Sequence, residues 1–111
     1  MAGECPGWYC LFLTASKDGD AYGEVVGNGL ATTNSVTITA RGGVAGYTYA
    51  WTRISGSAFS ISNASAATVT WSYAVAAPND TTETWRCTVT DSASPAGTTT
   101  VDVTVQIVHS L

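Results

Sequence analysis

The side chains that could do chemistry are few and scattered. One histidine, His109, is followed only by Ser110 and Leu111; the cysteines are Cys5, Cys10 and Cys87. A nucleophile needs a base held beside it and a third group to orient that base. His109 reads instead as a solvated residue at a frayed end. No two carboxylates stand where strand geometry would aim them across a cleft. These residues predict no enzyme.

Metal binding fares little better. Asp18-Gly19-Asp20-Ala21-Tyr22-Gly23 spaces its oxygens like the start of an EF-hand loop, with Gly23 at the turn position. The twelfth position is Gly29, not a bidentate Glu, and no flanking helices are predicted, so the tract reads as a solvated acidic turn. A zinc site would need two ligands beyond Cys5 and Cys10, and the lone His lies at the far end. Cys5 and Cys10 enclose Pro6-Gly7, a turn that could bring the sulfurs together; two reduced thiols is the other reading. No cofactor and no metal are expected.

Aromatic and apolar clusters are the remaining candidates, and they point to contact surfaces. Trp8, Tyr9, Leu11, Phe12 and Leu13 crowd large apolar side chains outside any alternating pattern. Fully burying each contributes roughly 1.5–3 kcal/mol, so the cluster either folds back on its own domain or docks on a neighbouring subunit. Tyr47 and Tyr49 share one strand face with Trp51, and either extend the core or form a sugar-stacking platform. Asn63-Ala-Ser65 and Asn79-Asp-Thr81 match glycosylation sequons but read as turn residues.

The elements that must position these residues are strands. VTITA (36–40), YTYAW (47–51), TVTWSYAV (68–75), TWRCTVTD (84–91) and TTTVDVTVQIV (98–108) place apolar residues at every second position. Side chains of a strand alternate between faces, so each segment buries one face and wets the other. Strands are predicted at about 35–41, 47–54, 59–61, 67–75, 83–90 and 98–108, with an edge strand at 22–26. Gly42-Gly43, Gly46, Pro78-Asn79-Asp80 and Pro95 punctuate the turns. Trp51, Trp85, Cys87, Ile38, Val69, Val103 and Val105 should lie inside. The domain spans 22–111, and residues 1–21 form an N-terminal arm or collar beside it.

With 111 residues, the chain suits one domain. Its net charge of −4, with Lys17, Arg41, Arg53 and Arg86 dispersed, argues against a nucleic-acid partner, which would require clustered cations. No run approaches the roughly 18 apolar residues of a membrane span. The apolar stretch 8–15 has Glu4 where a signal peptide carries positive charge, so no signal peptide is expected.

GGVAGYTYAW (42–51), WRCTVTDS (85–92) and the Thr/Val-rich last strand resemble immunoglobulin-like and PKD-like modules. The resemblance covers 35–108. It implies an all-β, Ig-like Greek-key β-sandwich of about seven antiparallel strands. Trp51 corresponds to the core Trp of the third strand of such domains, and Cys87 to the Cys of the sixth. Trp85 stands where antibody-type domains carry the tyrosine-corner Tyr. Val36, Ile38 and Ala40 occupy the inward positions where the second Cys would stand, so Cys87 is expected as a buried small hydrophobe. Such modules recur in bacterial surface proteins and bacteriophage virion proteins. The resemblance therefore implies a non-enzymatic virion structural protein, made in the host cytoplasm, that decorates or extends a capsid or tail. Its partners would be other virion proteins, copies of itself and, weakly, host-surface glycans. A carbohydrate-binding or cell-surface adhesion module is the alternative.

Overall fold

The computed structural model describes residues 12–111. Among them there is no helix, and the chain is all-β. The strands are β1 (Thr14–Lys17), β2 (Ala21–Val26), β3 (Gly29–Thr32), β4 (Val36–Arg41), β5 (Thr48–Ser55), β6 (Ser60–Ile61), β7 (Thr68–Val69), β8 (Trp71–Val75), β9 (Asn79–Thr90) and β10 (Thr98–Ser110).

One four-stranded sheet, ordered β2-β10-β9-β5, runs the length of the molecule. Its spine is the antiparallel β9–β10 hairpin, in register from Thr98↔Thr90 to His109↔Asn79. β5 covers the upper part of β9, with Trp51 opposite Cys87, and β2 lies parallel to the lower part of β10, from Val105↔Ala21 to Ser110↔Val26. Two three-stranded sheets, β1-β4-β7 and β3-β8-β6, face this spine. All three sheets contribute to one apolar core.

Alternation explains the core. Trp85, Cys87 and Val89 on β9 and Val103, Val105 and Ile107 on β10 are buried, while the intervening Thr, Arg and Asp side chains face outward. Trp51, Ile38 and Val69 are buried as the pattern predicts. Trp71 sits edge-on to Trp51 at 5.3 Å between ring centroids and tilted to Trp85 at 5.9 Å, both separations within the range of favourable aromatic pairs.

Two strands change sheets. The alternation of 67–75 reads as one strand, but the ladder breaks at Thr70. Val69 pairs with β4, whereas Trp71–Val75 belongs to the sheet of β3. Thr70 instead exchanges hydrogen bonds with Ser62: its N–H donates to Ser62 Oγ, and its carbonyl accepts from Ser62 N–H. The second change joins β1, paired with β4, to β2, paired with β10. Residues 14–17, read from the sequence as part of the arm, are thus a hydrogen-bonded strand of a sheet.

The molecule is long, 57 × 20 × 17 Å, with a radius of gyration of 16.7 Å. A compact chain of this length would have about 13 Å. Thr14, Arg41, Thr48, Thr90 and Thr98 mark one pole, where the 42–47 and 91–97 loops meet. Val26, Gly29, Asn79 and Ser110 mark the other. The described chain enters at the first pole and leaves at the second.

Candidate functional site

Trp8, Tyr9, Leu11, Cys5 and Cys10 lie outside the described residues. Phe12 and Leu13 are within them and behave differently: Phe12 is 89% exposed at the loop pole, whereas Leu13 packs against the core. The apolar run 8–13 therefore ends where the sheet begins. Tyr47 and Tyr49 are half-buried and pack against the core, and the Tyr47 hydroxyl donates to Gly42 O at 2.8 Å. Their rings thus present only part of their surface to a partner.

The acidic tract fastens strands. Asp18 Oδ1 accepts from Thr37 N at 2.9 Å, and Asp20 Oδ1 accepts from Thr104 N at 3.0 Å and from Lys17 Nζ at 2.6 Å. The two carboxylates bind opposite sheets where β1 gives way to β2, which is why the change of sheet falls between them. The Lys17 bond, with the Thr104 amide, holds the Asp20 carboxyl below the usual carboxylate range. Gly23 serves packing instead of a calcium loop, since a Cβ there would lie 2.9 Å from the Thr32 backbone. Among the described residues, no group of three or more His, Cys, Asp or Glu could hold a metal ion.

The histidine reading is corrected. His109 is fully buried in β10, its Nε2 donating to Gly29 O at 2.7 Å and its ring edge-on to Tyr73 at 5.9 Å. It lies in phase with Val103, Val105 and Ile107, so the alternation that placed those residues inside extends through it. The strand continues to Ser110 because β2 pairs alongside it to that residue.

Two buried carboxylates went unread in the sequence. Asp91 closes the loop pole: Oδ1 accepts from Gly97 N at 2.8 Å and Ala93 N at 3.1 Å, and Oδ2 from Val44 N at 3.2 Å. The Gly97 amide, aided by the other two, lowers its pKa against the opposing effect of burial. Glu83, 1% exposed, sits in the middle of the spine on the inward face of β9. Its Oε2 accepts from Ala58 N at 2.7 Å and Phe59 N at 3.1 Å, and its Oε1 from Trp85 Nε1 at 3.0 Å and Arg53 Nε at 3.2 Å. Arg53 also stacks on the Trp85 ring, 4.8 Å from its centroid. Burial pushes the Glu83 carboxyl up, but these bonds together hold it below its ordinary value. The signal was available: Glu83 has the parity of Trp85, Cys87 and Val89.

Cys87 is buried, and burial pushes its thiol up to about 11, which leaves it unreactive as a nucleophile.

No protein-family model matches the chain, and no curated protein matches it. Among solved structures it is similar to a nucleoside hydrolase-related hypothetical protein from Saccharophagus degradans that is associated with carbohydrate metabolism. The TM-score is 0.62 at 14% identity, over 89% of this chain and 26% of that one. The likeness is one of fold, and the chain spans about a quarter of that protein's length.

Proposed function

We propose that this chain is a non-enzymatic Ig-like Greek-key sandwich that decorates or extends a bacteriophage capsid or tail. The strand order supports the fold. Taken across the break at Thr70, β1-β4-β7 with β8-β6, and β5-β9-β10, run in the ABED and CFG order of constant-type immunoglobulin domains, with β3 beside β8 and β2 beside β10 as additions to it. Trp51 and Cys87, the counterparts of the core Trp and Cys, are register partners. The role rests on this resemblance together with one observation: a 57 Å body that takes in its chain at one pole and releases it at the other. That geometry suits a spacer or projection, attached at one end and presenting the other.

The attachment element is the segment that precedes Phe12. Copies repeated on a particle would add avidity to a modest individual contact. Because β1 begins at Thr14, the informative truncation removes residues 1–11 and leaves every described strand intact. The truncated protein should keep the thermal transition of the full chain and no longer co-purify with phage particles, measured by mass spectrometry of purified virions. Unfolding of the truncated protein, or its normal incorporation, would reject the segment as the anchor. Absence of the full chain from virions would reject the role.

The carbohydrate-binding alternative draws support from the association of the similar solved protein with carbohydrate metabolism. The partial burial of Tyr47 and Tyr49 weighs against a stacking platform there. Specific binding on a glycan array, lost in Tyr49→Ala, would reverse the preference.

A further inference from the structure

We propose that Gly56–Phe59 is an acid-released strap, latched over the core by the Glu83 carboxylate. The strap follows β5 and crosses the inward end of the Glu83 side chain. Gly56 has φ of +97°, and a Cβ at that position would collide with the Glu83 side chain, so only glycine allows this close approach. Phe59, 2% exposed, is the residue the strap buries, its ring 5.3 Å from that of Tyr73.

The chemistry of the latch is one-sided. Ala58 N–H, Phe59 N–H, Trp85 Nε1–H and Arg53 Nε–H all donate to Glu83, and none of these groups can accept. A protonated carboxyl must place its own O–H against an acceptor. Arg53 Nη2 also donates to Phe59 O, so the guanidinium ties both the carboxylate and the strap. Protonation removes one acceptor lone pair, and with the Arg53 charge beside Oε1 the proton goes to Oε2, where it displaces the Ala58 or the Phe59 amide, a strap bond.

Arg53 on β5 is the charged group facing the carboxylate. On β10 the register partner is Val105, and the strap carries no titratable side chain. On β8, Tyr73 meets Phe59, and His109 lies beyond Tyr73. The Glu83 carboxyl is held below its ordinary value of 4.5. The latch is accordingly fully closed above that value and opens as the pH falls through the lower, folded-state value. Its opening uncovers Phe59 and the Trp85 face without requiring the β9–β10 ladder to part.

Nuclear magnetic resonance of the full chain across a pH series reads the latch directly. The Ala58 amide, the Phe59 amide and the Trp85 indole N–H are the reporters. The Trp51 indole, bonded to Ala66 O at 2.8 Å, and the amides of Val105 and Ile107 are the controls. The reporters should lose their hydrogen-bonded shifts along one curve with its midpoint below 4.5, while the controls hold. In Glu83→Gln the reporters should occupy their acid positions already at pH 7 and stop responding to acid. Reporters that stay fixed until the whole spectrum collapses, or that titrate unchanged in Glu83→Gln, would overturn the proposal. Should that variant fail to fold, the wild-type series decides alone.

Discussion

Glu83 and Asp91 lie on the same strand and its extension, eight residues apart, and both are carboxylates surrounded by donors. Their surroundings differ in kind. Asp91, 8% exposed, takes three backbone amides from two loops at the rim. Glu83, 1% exposed, takes two amides, an indole and the partly exposed guanidinium of Arg53 on the inward face of the spine. Asp91 shapes two connections that could unravel without disturbing the spine. Glu83 ties a connection to the spine itself. Place along the strand thus decides whether a buried carboxylate organises loops at one end or holds a connection against the core, and each stays charged only because its donors replace water.

Substitutions can break this contrast at either end. Glu83→Ala should destabilise the fold by about 3–5 kcal/mol, because the buried Phe59 amide and Trp85 indole lose their acceptor and the partly exposed Arg53 loses its counter-charge. Trp51→Ala should fall in the same range of about 3–5 kcal/mol through the cavity it leaves, and so calibrates the first. Both are read from urea unfolding. Equal effects would mean that the latch is worth as much as a core tryptophan.

Asp91→Ala should move the urea midpoint less than either, with loss of amide protection confined to residues 42–47 and 92–97. A shift matching that of Glu83→Ala would erase the distinction between rim and core. Both carboxyls are lowered in the folded protein. Both stabilising contributions are therefore present above the ordinary carboxylate range and lost as the pH falls through the folded-state values.

The smallest effect belongs to Asp102→Asn. Arg86 and Asp102 form two parallel bonds, at 2.7 and 3.1 Å, on the outer face of the spine. The pair is open to water and to salt, and such pairs contribute little. No change in the urea midpoint beyond experimental error is expected at 0.15 M salt.

Much of the spine was legible because its information is local. Val103, Val105 and Ile107 declare their face by parity, as do Trp85, Cys87 and Val89. The same parity covers Glu83 and His109, but polarity argues the other way at those two positions. What reconciles them with burial is a partner brought from elsewhere: the strap for Glu83, Gly29 O for His109. Partners 24 to 80 residues away leave no trace in a window of neighbours. The sheet change at Thr70 was hidden for a similar reason, since Val69, Trp71 and Tyr73 keep their alternation through it. β1 and the residue before it turn only Leu13 and Ala15 toward the core, too short an alternation to stand out, and β1 exists because β4 offers it an edge. Neither the resemblance nor the pattern pointed to the latch.

β2 and β10 run side by side in the same direction, joined along six register pairs. Tension applied between the two chain ends would draw β2 toward the loop pole and β10 toward the other. The ladder would then carry the load in shear, its bonds straining together instead of parting one after another as in a peeled hairpin. A body so strung resists stretching along its axis far better than it resists prying at one edge.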